Sequence, residues 1–261
     1  ASTAAIAHLG AKPVFVDVCA DQNIDPNLIE RSITKNTKAI MPVHLTGRMA
    51  NMKAITEVSN KFNIPIVEDA AQAVGSRYEN QPSGTWGIVG CFSTHPLKNL
   101  NSCGDGGFIT TNDGNIADSI RSFRNHGLVG RDTVSKFGLV SRMDEIQAAI
   151  LRYRLNRLGD VVSCRRFNAS LYRSVLNSEV IFHPADAPLE FNTWHTFVIQ
   201  VDCRNQLQEF LRSNNIETSV HYPVPIHLQP ASIGFGYATG DFPVTEKQAE
   251  RILTLPIHQN L

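Results

Sequence analysis

Short apolar runs alternate with helically spaced apolar residues through the first half of the chain. The runs predict five strands, at residues 12–18, 37–45, 64–70, 91–94 and 106–111. Apolar side chains three or four positions apart predict helices between them, at residues 25–33, 51–62 and 116–123. Strands that alternate with helices favour a mainly parallel sheet covered on both faces, and ligands of such sheets bind at the carboxyl ends of the strands.

The pattern changes in the second half of the chain. It predicts three helices, at residues 143–158, 160–176 and 205–214. It also predicts one strand with aromatic residues, at residues 194–202. Thr245 and Gln248 have the spacing of a capping box, which would begin the last helix. The sequence therefore predicts a large α/β domain over residues 1–155 and a smaller α+β domain over residues 156–261.

Composition narrows the class of protein. Of the 261 residues, 42% are hydrophobic and 18% are charged, which is typical of a globular protein. The 24 basic and 24 acidic side chains balance, which gives no support to a nucleic-acid partner or a membrane surface. No apolar run approaches the roughly 20 residues that span a bilayer, and the first residues lack the basic start of a signal peptide. Five cysteines without a paired motif indicate free thiols, so we expect a cytoplasmic location.

Polar side chains stand where predicted strands end. Asp69 follows the third strand, where its carboxylate can point into a crevice or cap a helix. Ser93 ends the next strand, where a hydroxyl can bind a phosphate or form a turn. Arg142 precedes a helix and can bind a carboxylate through two hydrogen bonds, or pair with a neighbouring acid.

Lys98 lies between a strand and the glycine-rich run at 104–107. A desolvated lysine loses its proton readily, and the neutral amine attacks a carbonyl to form a Schiff base. A solvated loop lysine is the alternative. The glycine run leads into a strand, whereas a dinucleotide-binding loop leads into a helix. A lysine, a carboxylate and a hydroxyl at neighbouring strand ends suit pyridoxal phosphate, which needs partners for its aldehyde, its pyridine nitrogen and its phosphate.

Several motifs together resemble one protein family. They are VEDAAQA, CFSTHPLKNL, GDGGFITT, RNHG and SRMDEIQAA, at residues 67–73, 91–100, 104–111, 124–127 and 141–149. In this order and spacing they are similar to the DegT/DnrJ/EryC1/StrS family of pyridoxal-phosphate-dependent nucleotide-sugar aminotransferases. Further stretches near both ends of the chain resemble the same family, so the likeness covers essentially the whole sequence.

The resemblance implies the fold-type I architecture, with a three-layer αβα large domain and a smaller C-terminal domain, and a homodimer. It implies that Lys98 forms the Schiff base with the cofactor and that Asp69 pairs with the pyridinium nitrogen. Ala71 would pack on one face of the ring, Gln72 would reach the ring hydroxyl and Ser93 would bind the phosphate.

The implied reaction moves an amino group, usually from glutamate, to a keto sugar attached to a nucleotide. Lys98 would also carry a proton between substrate and cofactor, and the two half-reactions would give ping-pong kinetics. The family places the region of His221 and His227 near the substrate, with Arg142 available to bind it. A proline-stiffened loop with ordinary polar histidines is the alternative for that region.

Two features depart from the family pattern. The family is expected to have a further segment before this first residue, with a turn that holds the phosphate and an aromatic residue on the ring. The sequence is therefore expected to be N-terminally truncated relative to the family. Relatives also carry an asparagine where Val140 stands, and that asparagine reaches the phosphate of the partner subunit. A valine side chain makes no such hydrogen bond.

Other functions stay open at this point. A sugar dehydratase or other lyase of the same fold is one alternative, although such relatives carry histidine in place of Lys98. A non-catalytic homologue that still dimerises is another. Cys91, His95 and Cys103 form no paired ligand motif, so no metal site is expected.

Overall fold

Helices and short strands alternate along residues 1–261, all of which are described by the computed structural model. The α-helices are α1 (Ser2–His8), α2 (Pro26–Ser32), α3 (Met52–Phe62), α4 (Gly114–Phe123), α5 (Glu145–Leu155), α6 (Leu158–Val175), α7 (Arg204–Ser213) and α8 (Pro243–Arg251). The strands are β1 (Val67–Asp69), β2 (Arg77–Tyr78), β3 (Gln81–Pro82), β4 (Val89–Ser93), β5 (Gly107–Thr110), β6 (Glu190–Phe191), β7 (Phe197–Gln200) and β8 (Ile252–Leu255). Short 3₁₀ helices span Ile226–Leu228 and Pro230–Phe235. None of the helices combines the length and apolarity needed to cross a membrane.

The first sheet has the order β1-β4-β5, with β1 parallel to β4 and β4 antiparallel to β5. Residues 40–43 run beside β1 through two parallel bridges, Ile40 to Ile66 and Val43 to Asp69. The predicted strand at 37–45 is therefore present only as bridges. Its parallel direction matches the prediction, and β5 adds an antiparallel edge to the sheet.

Helices α2 and α3 pack against each other and contribute to the first hydrophobic core. Asp25 caps α2, the helix predicted at residues 25–33, because its carboxylate accepts a hydrogen bond from the backbone of Asn27 and Pro26 occupies the first turn. Asn51 caps α3, which ends at Asn63 in the left-handed conformation. Removal of apolar area from water stabilises this first core, whose buried members are Ile29, Ile40, Met49, Ala50, Met52, Ile55, Ile64, Ile66 and Tyr78.

Glu68 lies fully buried on β1, and its carboxylate organises the chain around it. His44 lies 3.0 Å from one carboxylate oxygen, and backbone N–H groups donate to the two oxygens from Gly84, Trp86 and Gly87. The Nδ1 atom of His44 accepts a hydrogen bond from the backbone of Ala50, so its other nitrogen donates to Glu68. Burial alone would raise the pKa of Glu68, but the bonds from His44 and from the Gly87 and Gly84 backbone hold it below its usual value.

A second core forms in the C-terminal part of the chain. β7 pairs antiparallel with β8, and all eight residues of the two strands are buried. The buried members of this second core are Ala169, Trp194, Phe197, Ile199, Val201, Leu253, Leu255 and Ile257. The sequence pattern missed β8, because the apolar run ILTL follows α8 without a turn signal. The division of the chain at residue 155 stays a prediction.

The predicted strand at 12–18 is wrong. Only Val18 in this stretch forms a bridge, to Ile24. The backbone N–H of Phe15 donates instead to the hydroxyl of Tyr237, and the Phe15 ring packs against Tyr237 and Phe242. The apolar residues of this stretch are therefore used for packing against the C-terminal part, without strand pairing.

The predicted capping box of the last helix is also wrong. α8 begins at Pro243, which puts Thr245 inside the first turn. Asp17 takes the capping role, because its carboxylate accepts hydrogen bonds from the Val244 and Thr245 backbone and from the Thr245 hydroxyl. Gln248 donates to the carbonyl of Cys19. A residue more than 220 positions away thus caps the helix.

Candidate active site

Lys98 lies in the loop that follows β4, with its side chain half-buried. Its backbone N–H donates to the carbonyl of His95 at 2.8 Å, which closes a tight turn. The next residue, Asn99, is buried and donates to the carbonyl of Thr193 at 2.9 Å. Burial lowers the pKa of the Lys98 amine, and the negative charge of Asp69 partly opposes that shift. The amine is thus moved toward its neutral, nucleophilic form.

Asp69 is the last residue of β1, at the same sheet edge as the end of β4. No helix begins after it, so it is not a helix cap. Its Oδ1 atom accepts a hydrogen bond from the backbone of Ala71 at 3.1 Å, and its Oδ2 atom accepts one from the Ser2 hydroxyl at 2.6 Å. These two bonds fix the carboxylate at the carboxyl end of the sheet, within electrostatic reach of Lys98.

Ser93 is the last residue of β4 and pairs with Gly107 of β5. Its hydroxyl accepts a weak hydrogen bond from the backbone of His95 at 3.3 Å. Ala71 and Gln72 lie half-buried in the turn after Asp69, and the Gln72 side chain makes no hydrogen bond. These side chains therefore remain able to bind a ligand at the strand ends.

Helix α5 holds the loop that follows Lys98. Arg154 donates to the carbonyl and the side-chain oxygen of Asn101, both at 2.7 Å. Gln147 accepts a hydrogen bond from the backbone of Cys103 at 2.8 Å. Helix α5 therefore fixes the loop between the lysine and β5. No group of three or more His, Cys, Asp or Glu side chains is arranged to hold a metal ion.

Two histidines from the C-terminal part lie near Lys98. His221, which was predicted, hydrogen-bonds the Thr254 hydroxyl through Nδ1 at 2.9 Å, and burial followed by the charge of Lys98 lowers its pKa. His195, which was not predicted, precedes β7. Burial, aided by the charges of Lys98, Arg165 and His221, lowers the pKa of His195 to about 3. The structure therefore adds a neutral imidazole to the candidate site.

The segment at 193–196 is held on both sides. The backbone of Thr193 donates to the Gly47 carbonyl at 2.9 Å, and Gly47 lies so close to residues 194 and 195 that a Cβ would come within 2.7 Å of their nitrogens. Arg165 of α6 donates to the carbonyls of Trp194 and His195 at 3.1 Å, and to that of Ile257 at 3.0 Å. Burial lowers the pKa of Arg165 to about 10. The His195 backbone is therefore firmly positioned.

The other predicted substrate residues lie in different surroundings. His227 is buried, with Nε2 2.9 Å from a Glu246 oxygen and its ring 4.7 Å from that of Phe242. Arg142 is exposed and makes no hydrogen bond or ion pair. Val140 is 59% exposed, and its backbone bridges to Asn125. The structure therefore brings Lys98 together with Asp69 and His221, whereas His227 is engaged with Glu246.

Sequence reasoning missed His195 because its partners are distant in the chain. The pattern of the stretch WHTFVIQVD predicts only a strand. The one local signal is a histidine at the entry to that strand, a type of residue that commonly serves in catalysis near neutral pH. Its proximity to Lys98 depends on the folding of residues 97 positions apart.

Comparisons with known proteins identify the family of this chain. The model of the DegT/DnrJ/EryC1/StrS aminotransferase family matches residues 1–261. A pleiotropic regulatory protein of Geobacillus stearothermophilus is 40% identical over 265 residues, which cover all of this chain and 71% of that protein. A dTDP-3-amino-3,4,6-trideoxy-alpha-D-glucose transaminase of Streptomyces venezuelae is 40% identical over 263 residues, which cover all of this chain and 69% of that protein.

A solved structure extends the likeness to three dimensions. The crystal structure of S. venezuelae DesV in complex with a ketimine intermediate superposes with a TM-score of 0.96 at 40% identity. The match covers all of this chain and 71% of that one. The predicted fold-type I architecture is thereby confirmed. With its whole length matched by the family model and its backbone by a member, the chain belongs to the DegT/DnrJ/EryC1/StrS aminotransferase family.

Proposed function

We propose that this protein is a pyridoxal-phosphate-dependent aminotransferase that moves an amino group from glutamate to the keto sugar of a nucleotide sugar. One observation carries the proposal. A half-buried lysine amine with a lowered pKa lies within electrostatic reach of a fixed carboxylate, at the carboxyl ends of adjacent parallel strands. That is where α/β sheets bind ligands, and it is the arrangement that a pyridine aldehyde requires.

The side chains around Lys98 fit the cofactor. Lys98 would bind its aldehyde, Asp69 its ring nitrogen and Ser93 its phosphate. Asp69 ends β1, Ser93 ends β4 and Lys98 lies in the loop that follows β4. Gln72 has an unused amide for the ring hydroxyl, and Ala71 offers a small apolar surface for the ring face. When bound, the cofactor would supply an electron sink for the carbon that loses and gains a proton.

This chain's own residues would do the rest. Lys98, which burial favours in its neutral form, would take a proton from the donor carbon and return it on the acceptor side. Asp69 is already fixed by the hydrogen bonds from Ala71 and Ser2, so little reorganisation would be needed. Arg142 is exposed and free to bind a carboxylate of the donor. His221 would contact the substrate, whereas His227 is buried against Glu246 and Phe242.

The substrate class follows from the relatives. The S. venezuelae relative is a transaminase named for a dTDP-linked amino sugar, and it is 40% identical across the whole of this chain. We therefore include a nucleotide-linked sugar in the proposal, without assigning the sugar or the nucleotide. A cytoplasmic location is part of the proposal and is supported by five free cysteines.

A homodimer is part of the same proposal. Large apolar side chains stand exposed in residues 129–155, although monomers seldom expose such a concentration. They are Val129, Val134, Phe137, Leu139, Val140, Ile146, Tyr153 and Leu155, of which Phe137 is 96% exposed. Association through this surface would remove them from water. Sedimentation equilibrium would give twice the 28.8 kDa chain mass if the proposal is right.

An absorbance titration tests the function. Pyridoxal phosphate is added to the purified chain, followed by glutamate, and Lys98→Ala and the exposed-lysine variant Lys53→Ala are run alongside. We expect a visible absorption band that glutamate bleaches in the original chain and in Lys53→Ala. Lys98→Ala should lack the band. Bleaching that persists in Lys98→Ala would remove Lys98 from the reaction.

The same titration separates the alternatives. Release of 2-oxoglutarate in step with bleaching indicates amino transfer, whereas a lyase would leave glutamate unchanged. A chain that binds the cofactor through no lysine and consumes no glutamate would contradict the proposal and favour the non-catalytic homologue. The regulatory name of the G. stearothermophilus relative makes that outcome a specific alternative.

A further inference from the structure

His195 has no part in the proposed roles, although it lies in the same site as Lys98 and His221. Its side chain is half-buried, and its Nδ1 atom is buried without a hydrogen-bond partner. The Nε2 atom makes no hydrogen bond either, and it is the ring nitrogen left on the accessible side. A buried polar atom without a partner costs free energy, so its retention here calls for a function.

The ring is positioned by its backbone. Hydrogen bonds join Thr193 to Gly47 and Thr196 to Thr46, and the buried Asn99 side chain holds the Thr193 carbonyl. Arg165 holds the His195 carbonyl itself. Because Asn99 follows Lys98 directly, its buried side chain ties the lysine loop to the backbone two residues before His195.

The protonation state of the ring follows from its surroundings. Burial and the nearby positive charges keep the pKa of His195 far below neutrality, so the imidazole is uncharged. A neutral imidazole carries one N–H group. A proton on the buried Nδ1 would have no acceptor, so the proton belongs on Nε2. The accessible edge of the ring is therefore a neutral hydrogen-bond donor.

We propose that His195 is a substrate-binding residue that distinguishes the two substrates, because its Nε2–H donates a hydrogen bond to an oxygen substituent of the sugar. The inference rests on the proposed function. A neutral N–H suits a hydroxyl or carbonyl oxygen, whereas the carboxylates of glutamate are bound best by a cation. Loss of His195 should therefore affect the sugar and spare glutamate.

The test offers two amino donors to the same cofactor-loaded protein. One is glutamate, and the other is dTDP-3-amino-3,4,6-trideoxy-α-D-glucose, the sugar in the name of the S. venezuelae relative. Bleaching of the cofactor band gives kcat/KM for each. For His195→Ala and His195→Asn we expect roughly a tenfold loss with the amino sugar, the value of one neutral hydrogen bond, and less than about a twofold change with glutamate.

His195→Gln separates this role from a structural one. The terminal amide of glutamine reaches about as far as Nε2, whereas that of asparagine reaches only as far as Nδ1. Glutamine should therefore restore most of the activity with the amino sugar. An equal loss with both donors, or no recovery with glutamine, would overturn the inference in favour of a structural role.

His183 provides a matched control. Its Nδ1 atom is also buried without a hydrogen-bond partner, and burial and the charge of Arg173 lower its pKa. The His183 ring packs against Phe197, and Lys98 does not contribute to the shift of its pKa. His183→Asn should leave the ratio of the two kcat/KM values unchanged. A changed ratio in this variant would show that any loss of a buried imidazole produces the effect, which would overturn the inference.

A binding measurement decides the question without turnover. Calorimetry of the amino sugar nucleotide with the cofactor-free chain should show affinity about tenfold weaker for His195→Ala than for the original chain. Equal affinities, or no binding by the original chain, would overturn the inference. If glutamate fails to bleach the original chain, the proposed function fails, while this comparison still decides the role of His195.

Discussion

At the scale of single residues, the site depends on how charge and burial act on one amine. Lys98 is half-buried, which favours its neutral form, and Asp69 favours its protonated form. The two influences oppose each other, and burial is the larger. Burial by the fold therefore moves the amine toward its neutral form without any bound ligand.

Replacement of the carboxylate should change the amine in a defined direction. Asp69→Asn keeps the shape and the acceptor for Ala71 but removes the negative charge, so the pKa of Lys98 should fall further. The rate at which Lys98 of the cofactor-free chain is acetylated, followed by peptide mass spectrometry over a pH series, should therefore rise at lower pH than in the original chain. Only the neutral amine reacts, so the acetylation rate measures the fraction of Lys98 that is deprotonated at each pH.

Asp105→Asn is the matched control for that experiment. Asp105 is exposed in the loop after Lys98 and does not contribute to the shift of its pKa. The acetylation profile should be the same as in the original chain. A profile that moves to higher pH in Asp69→Asn, or that stays in place, would contradict the electrostatic account.

At the scale of elements, α8 depends on a cap from the other end of the chain. Asp17 is 4% exposed and accepts hydrogen bonds from the first turn of α8. Burial alone would raise the pKa of Asp17, but the bonds from Thr245, Val244 and Val18 hold it below 3.8. Because β8 follows α8 without a break, the cap also supports the strand that pairs with β7.

Asp17→Ala should lower the free energy of unfolding by about 1–2 kcal/mol at neutral pH, the usual range for a lost cap. A carboxylate with a lowered folded pKa stabilises the protein above its unfolded pKa, and this contribution is lost as the pH falls through the folded value. The difference between variant and original in urea unfolding should therefore be full at neutral pH and shrink below about pH 4.

Asp144→Ala provides the comparison. Asp144 directly precedes α5 and has the same type of side chain as Asp17, but that side chain makes no capping bond. Its loss should change the unfolding midpoint little at any pH. A deficit in Asp17→Ala that stays constant into the acid range would argue against the carboxylate as the source of the stability.

At the scale of the whole molecule, segments from the N-terminal and C-terminal parts of the chain contact each other beside the candidate site. β6 of the C-terminal part pairs with β2, and Arg165 of α6 holds the segment that touches Gly47 and Asn99. Trp86 packs on the first core and Trp194 belongs to the second, and these are the only tryptophans. Fluorescence of single-tryptophan variants can therefore follow the unfolding of each core separately.

Arg165→Leu should destabilise the second core by roughly 3 kcal/mol, because three buried carbonyls lose their shared donor. Urea unfolding followed through Trp194 should shift more than unfolding followed through Trp86. Arg166→Leu removes a half-buried neighbour with a single hydrogen bond, to Asn192, and should cost about 1 kcal/mol. Equal effects of the two substitutions would refute the role assigned to Arg165.

Local sequence patterns determined several helices, the strand ends at one sheet edge and the family of this protein. Local helix signals identified α2, α3 and α6 to within a few residues, because these signals act within a few positions. Apolar runs that end in Asp69 and Ser93 predicted strand ends at one sheet edge, and the ordered motifs indicated the family. The roles assigned to Asp69, Ser93 and Lys98 at that edge remain predictions.

Only the tertiary structure decided the features that depend on distant residues. Phe15 packs against the C-terminal aromatic residues, so the apolar run around it forms no strand. Asp17 replaces a local capping box because its carboxylate meets α8 in the fold. Asn99, next to Lys98, bonds the Thr193 carbonyl two residues before His195, and burial keeps the His195 imidazole neutral. Sequence patterns report spacing along the chain, whereas pairing, capping and desolvation at these sites depend on what folding brings together.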